Sequence, residues 1–159
     1  ELHDIVYNIG GDSPSFSDYR LKATNFPEQA TCINERIRMF YDTVNRLFAK
    51  TEKTIEIDPH TNHLIFIDHG ETIPLYKLSS GEKQLLIILL RVFLMEEQPY
   101  ILLMDEPEIS LHIEWQYRLF EEIRGLNPNC QIITSTHSPS LFGDGWGDKL
   151  FFVEDLVKK

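Results

Sequence analysis

The stretch Tyr100-Ile101-Leu102-Leu103-Met104-Asp105-Glu106-Pro107-Glu108-Ile109-Ser110-Leu111-His112 decides which fold this chain takes. It opens on an unbroken apolar run, Tyr100 to Met104, bounded before by Pro99 and after by two acids. A short continuous apolar run between such boundaries is expected to be a strand buried on both faces of a parallel sheet. Asp105 and Glu106 then stand at the strand's C-terminal tip, the end at which α/β sheets build their ligand crevice. There Asp105 is a candidate Mg²⁺ ligand acting through water, since Mg²⁺ keeps much of its hydration shell. Glu106 is a candidate general base for an attacking water, a role worth about 10²–10⁴-fold in rate. The bland alternative is two solvated acids at a strand end.

Working outward, the apolar strand lies between two helical patterns. Upstream, Leu78-Ser79-Ser80-Gly81-Glu82-Lys83-Gln84 opens an expected helix running to about Glu97, with Ser80 as its cap and Pro99 as its stop. A Ser-Gly pair at a helix start offers free N–H groups and about half a unit of positive charge, which suits a phosphate. The alternative is a plain N-cap. Downstream, Glu108 to His112 is either a connecting turn or a communicating loop. Ile113 to Arg124 is an expected amphipathic helix closed by Gly125. Gln131 to Thr134 is a second short buried strand, followed by Ser135-Thr136-His137-Ser138-Pro139. His137 is positioned after that strand to reach a terminal phosphate, although a lone histidine is more often structural or simply exposed. Leu150 to Val153 is an expected final or edge strand. The strand–helix–strand alternation implies an α/β fold with parallel pairing.

The first half is less strongly marked. Residues 1–25 are weakly patterned, and Gly10-Gly11-Asp12-Ser13-Pro14 is turn chemistry, since no Gly-Lys-Ser/Thr follows it. Pro27 to Lys50 is an expected helix whose apolar stripe is Ile33, Ile37, Phe40, Val44 and Leu47. Thr54 to Ile57 and His63 to Asp68 form an expected hairpin, and Thr72 to Tyr76 a third short strand after the Asp68-His69-Gly70-Glu71 turn. His60, His63, His69 and Asp68 follow no recognisable metal-ligand spacing, so a polar hairpin is preferred over a metal-dependent nuclease.

Composition sets the outer limits. The chain has 159 residues, 42% apolar, enough for one ordinary core. Its formal charge of −10 and its lack of a Lys/Arg cluster argue against a dedicated basic nucleic-acid surface, so any DNA contact is expected elsewhere or on a local patch. Cys32 and Cys130 have neither disulfide nor metal spacing, which fits a reducing, cytoplasmic setting. The most apolar run, Leu85 to Met95, is broken by Arg91 and is shorter than the roughly 20 residues of a membrane span. The start Glu1-Leu2-His3, without methionine or signal core, is expected of a piece of a longer protein.

Taken in order, the four segments resemble the ABC ATPase superfamily. Leu78 to Gln84 is similar to its signature motif, Ile101 to Pro107 to Walker B with a catalytic glutamate, Ser110-Leu111-His112 to the D-loop, and His137 to the switch histidine. The wording Asp-Glu-Pro-Glu-Ile-Ser-Leu-His and Ser-Thr-His-Ser-Pro is most similar to the SMC/RecF/OLD-like branch, which serves DNA handling and phage defence. The resemblance covers about residues 78–142. It implies a P-loop NTPase-like partial parallel sheet flanked by helices (residues 78–159), preceded by a helical insertion and small β-hairpin region (residues 1–77). It also implies ATP and Mg²⁺ as cofactors, with Asp105 at the metal and Glu106 and His137 catalytic. Ser79, Ser80 and Gly81 would bind the γ-phosphate held by a second ATPase head, in a homodimer or heterodimer, and Gln84, Ser110 and His112 would also contact nucleotide. DNA or a partner nuclease would engage other regions, and no membrane is implied. Two departures stand out: the chain contains no Gly-x4-Gly-Lys-Ser/Thr loop, and His112 replaces the usual D-loop acid. The first leaves open an alternative, a non-catalytic dimerisation or interaction module. It also implies negligible ATPase activity for the chain alone.

Overall fold

The computed structural model describes residues 6, 15–58, 60, 61, 63–142 and 145–156. The Gly10–Pro14 turn expected from the sequence lies outside them.

Helix α1 spans Phe16–Asn25. It begins with a capping box: Ser15 Oγ accepts from the Asp18 N–H at 3.1 Å, and the Asp18 carboxylate accepts from the Ser15 N–H at 3.2 Å. After a 3₁₀ turn at Pro27–Gln29, α2 runs Ala30–Phe48 and continues into a second 3₁₀ turn at Ala49–Thr51. The expected stripe Ile33, Ile37, Phe40, Val44 and Leu47 is buried. It meets α1 and the later helix α3 in an aromatic cluster. Phe93 lies 4.9 Å from Phe40, 4.7 Å from Tyr19 and 5.8 Å from Phe16, centroid to centroid. Such pairs add to the burial of the rings themselves.

A three-stranded antiparallel sheet follows: β1 Lys53–Ile57, β2 Leu64–Asp68 and β3 Glu71–Ile73. Asp68 pairs with Glu71 around His69 and Gly70, whose φ values of 50° and 83° are the two left-handed residues a tight hairpin turn requires. The sheet is tied to α2 by the Asn45 side-chain amide. It accepts from the Ile55 N–H at 2.7 Å and donates to the Ile55 carbonyl at 3.2 Å.

Helix α3, Ser80–Leu94, carries Leu85, Leu86, Leu89, Leu90, Val92 and Phe93, all fully buried. It is apolar nearly all round and forms the centre of the core. Next come β4 (Tyr100–Asp105), α4 (Ile113–Leu126), β5 (Cys130–Ser135), the short α5 (Pro139–Phe142), a 3₁₀ turn at Gly147–Lys149 and α6 (Val153–Leu156). β4 and β5 pair in parallel, from Tyr100 opposite Cys130 to Asp105 opposite Ser135. The chain is thus an α/β fold with a partial parallel sheet flanked by helices and a small antiparallel sheet. No helix among the described residues is long and apolar enough to cross a membrane.

The structure corrects several expectations. Ser79, not Ser80, caps α3, because its hydroxyl is the one that reaches the Glu82 N–H. That helix stops at Leu94; Glu96 and Glu97 are left-handed at φ 52° and 60°. Gly125 lies inside α4, whose cap is Asn127. Tyr76 belongs to a 3₁₀ turn rather than to β3. Leu150–Val153 form no strand; Val153 starts α6, and Leu150, Phe151 and Phe152 carry no regular secondary structure. β4 is covered on one face only: Ile101 and Leu103 are 57% and 72% exposed, and Ile133 on β5 beside them is 49% exposed. The described residues supply helices to the other face alone.

Candidate functional site

The parallel register of β4 and β5 brings the ends of both strands side by side, and the chemistry collects there. Asp105 is the last residue of β4, and its Oδ1 accepts a hydrogen bond from the hydroxyl of its partner Ser135. The ladder extends one step further, with the Glu106 N–H donating to the Ser135 carbonyl at 3.0 Å. Glu106 then turns sharply, at φ 44°, a left-handed conformation that costs a non-glycine residue on the order of 1 kcal/mol. That turn brings its carboxylate onto the loop after β5. Glu106 Oε2 accepts from the His137 N–H at 3.3 Å, and Oε1 lies 3.4 Å from His137 Nε2. The imidazole is otherwise open to solvent, with 96% of its side-chain surface exposed, so its placement rests on its backbone and on that one approach to Glu106.

Glu108 supplies much of that placement. One carboxylate oxygen accepts from the Thr136 hydroxyl, from the His137 N–H at 3.2 Å and from the Ser138 N–H at 3.2 Å. Burial pushes this carboxyl up, but its hydrogen bonds, that from Thr136 foremost, outweigh burial and hold it below the ordinary glutamate range. The Ser138 hydroxyl donates to Gln116 on α4 at 2.8 Å, and Gln116 donates to the Leu111 carbonyl at 3.0 Å. The β4–α4 and β5–α5 loops are therefore one hydrogen-bonded unit.

The start of α3 forms a second group. Ser79 and Ser80 are exposed, Gln84 is half-buried and Gly81 is buried. The Ser79 hydroxyl is committed to its cap, accepting from the Glu82 N–H at 3.2 Å. Gly81 packs against the Ser110 carbonyl and the Trp115 ring. Ser110 is left-handed at φ 71°, and His112 caps α4 by accepting from the Glu114 N–H through Nδ1 at 3.3 Å. Loop 106–112 connects the two groups through the turn bonds Ile109 N–H to Glu106 O, 3.1 Å, and Leu111 N–H to Glu108 O, 2.8 Å. Sequence reasoning singled out neither Ser135 nor Thr136, nor any separate role for Glu108. The available signal was a third acid, Glu108, two residues after Glu106. Among the described residues no group of three or more His, Cys, Asp and Glu side chains is arranged to hold a metal, the histidines of the β1–β2 hairpin included.

The chain is 27% identical over 139 residues to a retron Vc95 probable ATPase of Vibrio cholerae serotype O1 biovar El Tor, an alignment covering 80% of this chain and 26% of that protein. It is 42% identical over 100 residues to an uncharacterized ABC transporter ATP-binding protein of Haemophilus influenzae, covering 52% of this chain and 37% of the relative. The chain thus spans between a quarter and two fifths of the length of these curated relatives. Among solved structures it is similar to an Smc head bound to the C-terminal winged-helix domain of ScpA. The TM-score is 0.49 at 16% identity, covering 79% of this chain and 41% of that one. The model of the AAA ATPase domain matches residues 5–142, and the chain belongs to that family.

Proposed function

We propose that this chain is the C-terminal lobe of an ATP-hydrolysing ABC-type head of the SMC/RecF/OLD-like branch, with Glu106 as general base and His137 as the contact to the terminal phosphate. The observation that supports it most is the approach of the Glu106 carboxylate to both the backbone N–H and the ring of His137 at the end of a parallel strand pair. A base must lie within hydrogen-bond reach of the water it activates, and a phosphate contact must share that space. Glu106 Oε1, 3.4 Å from the His137 ring nitrogen, would accept a proton from a water lying beside the pair rather than between them. His137 Nε2 then has a terminal phosphate oxygen within reach of the same water.

Asp105 fits a Mg²⁺-nucleotide better than a protein-made metal cage. It is a single exposed carboxylate steadied by Ser135, and Mg²⁺ in nucleotide sites takes one or two carboxylates, waters and phosphate oxygens. Bound there, the ion would offset the charge on the phosphate oxygens. Ser79, Ser80, Gly81 and Gln84 form the edge offered to nucleotide on a second head, with Ser110 and His112 alongside. The exposure of Ser79 and Ser80 at the tip of α3 supports that assignment, while Gly81 is buried behind them against Ser110 and Trp115. The likeness to a retron's probable ATPase supports the ATPase reading, and the motif resemblance to the SMC/RecF/OLD-like branch is what suggests DNA processing or phage defence.

The experiment is Glu106→Gln in the full-length protein. ATP binding is expected to persist, head association to become longer-lived, and turnover to fall by at least about 10²-fold. Unchanged turnover would remove Glu106 from the mechanism, whereas a full-length wild-type protein that binds ATP without turning it over would favour the alternative, a non-catalytic dimerisation or interaction module.

A further inference from the structure

Apart from the 3.4 Å approach of Glu106 Oε1 to Nε2, the His137 ring is positioned through its backbone, and that backbone is shared by two carboxylates of different character. Glu106 is partly open, with 26% of its side chain exposed, and the bond it accepts is the longer one, 3.3 Å. Glu108 is buried, 9% exposed, and one of its oxygens collects three donors from three successive residues: the Thr136 hydroxyl, the His137 N–H and the Ser138 N–H. Thr136 closes the loop on itself by accepting from the Ser138 N–H at 2.9 Å. A general base must change its hydrogen-bonding as a proton moves onto it. A loop held only by Glu106 would therefore lose its anchor during the reaction that the loop serves.

We propose that Glu108 is a positioning residue, a latch that keeps the Thr136–Ser138 loop and the His137 ring in register with Glu106 while Glu106 exchanges protons. The proposal rests on the ATPase reading of Glu106 and His137 given above. Its structural half stands apart from that reading and is tested separately.

The structural half is read by amide hydrogen exchange on this chain. Glu108→Ala should speed exchange at His137 and Ser138 by roughly tenfold or more, the scale of coupling within one hydrogen-bond network. Amides in the middle of α3 should keep their protection. Glu108→Gln retains an acceptor oxygen and should recover part of the protection, and Thr136→Val should speed exchange with Glu108 intact. Unaltered exchange at His137 and Ser138 in Glu108→Gln and Thr136→Val overturns the latch, even where Glu108→Ala fails to fold.

The functional half is read in the full-length ATPase as a double-mutant cycle. Glu108→Ala alone should lower kcat roughly tenfold while nucleotide affinity holds. In a His137→Ala background it should cost little more, because the group being positioned is gone. Full additivity of the two losses overturns the proposal and leaves Glu108 a general stabiliser. If Glu106→Gln turns over at the wild-type rate, the ATPase reading fails instead, while hydrogen exchange still decides whether the latch exists.

Discussion

The carbonyl oxygen of Ser110 occupies the space that a side chain on Gly81 would need: a β-carbon built at Gly81 lies 2.3 Å from it. The obstacle is backbone, not the far end of a flexible side chain. It belongs to a residue already held left-handed, and the Trp115 ring closes the space at 3.5 Å. The start of α3 and loop 106–112 therefore approach closely only because residue 81 lacks a side chain.

Gly81→Ala should accordingly act on the loop rather than on the helix. In α3 alone alanine would be favoured over glycine by about 1 kcal/mol. The clash with Ser110 should reverse that sign and leave a net loss of about 1–3 kcal/mol, the usual cost of overpacking. Urea unfolding measures it, and a Gly81→Ala chain as stable as wild type or more so would show that the Ser110 turn moves aside freely.

Trp115→Phe tests the link between the two halves of the chain. The indole N–H donates to the Leu47 carbonyl at 3.0 Å in the last turn of α2, from a ring 4% exposed that faces Phe48 at 6.2 Å. Phenylalanine keeps most of the packing but loses the donor and part of the volume. The expected cost is about 1–3 kcal/mol. Fluorescence-monitored unfolding through Trp146 reads it, and a loss well below 1 kcal/mol would mean that the Leu47 carbonyl finds another donor.

What the sequence conveyed depended on how far apart the interacting residues lie. The α2 stripe from Ile33 to Leu47 was legible because a helix repeats its buried face every three to four residues. The Asp105-Glu106 strand end was legible because an apolar run stops abruptly at two acids. Helix α1 was not, since Phe16 and Tyr19 are its only two buried positions among the described residues and charged residues surround them. Leu150-Phe151-Phe152-Val153 has strand composition but gains no pairing partner, and composition cannot supply one. The Glu108–Thr136 contact spans 28 residues and exists only because β4 and β5 pair in one register. Nothing local in either segment announces it.

Glu82 gives the chain a specific acid sensitivity. Its carboxylate is fully buried, accepting from the Ser79 N–H at 2.7 Å and pairing with Lys53 at 3.0 Å. Burial pushes its pKa up, but hydrogen bonds from the Thr51 hydroxyl, the Ser79 N–H and Lys53 together pull it below the ordinary value. The folded state thus holds this proton less tightly than the unfolded chain does. The stabilisation is complete above the ordinary glutamate value of about 4.3 and is lost as pH falls through the lower folded value. Glu82→Gln should cost about 3 kcal/mol at neutral pH by leaving Lys53 without its partner, and it should flatten the decline below pH 4.3. Denaturant midpoints measured across that range decide; a Glu82→Gln curve parallel to wild type would assign the acid sensitivity to other carboxylates.

His112 carries two readings that one substitution separates. As the cap of α4 it needs only an acceptor for the Glu114 N–H. Aspartate is a better cap than histidine and adds a charge suited to a helix N-terminus, so His112→Asp should stabilise the chain by up to about 1 kcal/mol. His112→Ala should cost about the same amount. A side chain facing nucleotide on a second head responds differently, because association then depends on the imidazole itself, whereas the cap needs only an acceptor. In the full-length protein His112→Asp should then raise the melting temperature and also shift ATP-dependent association. If it stabilises the fold and leaves association untouched, His112 is a helix cap and nothing more, and the nucleotide edge narrows to Ser79, Ser80, Gly81, Gln84 and Ser110.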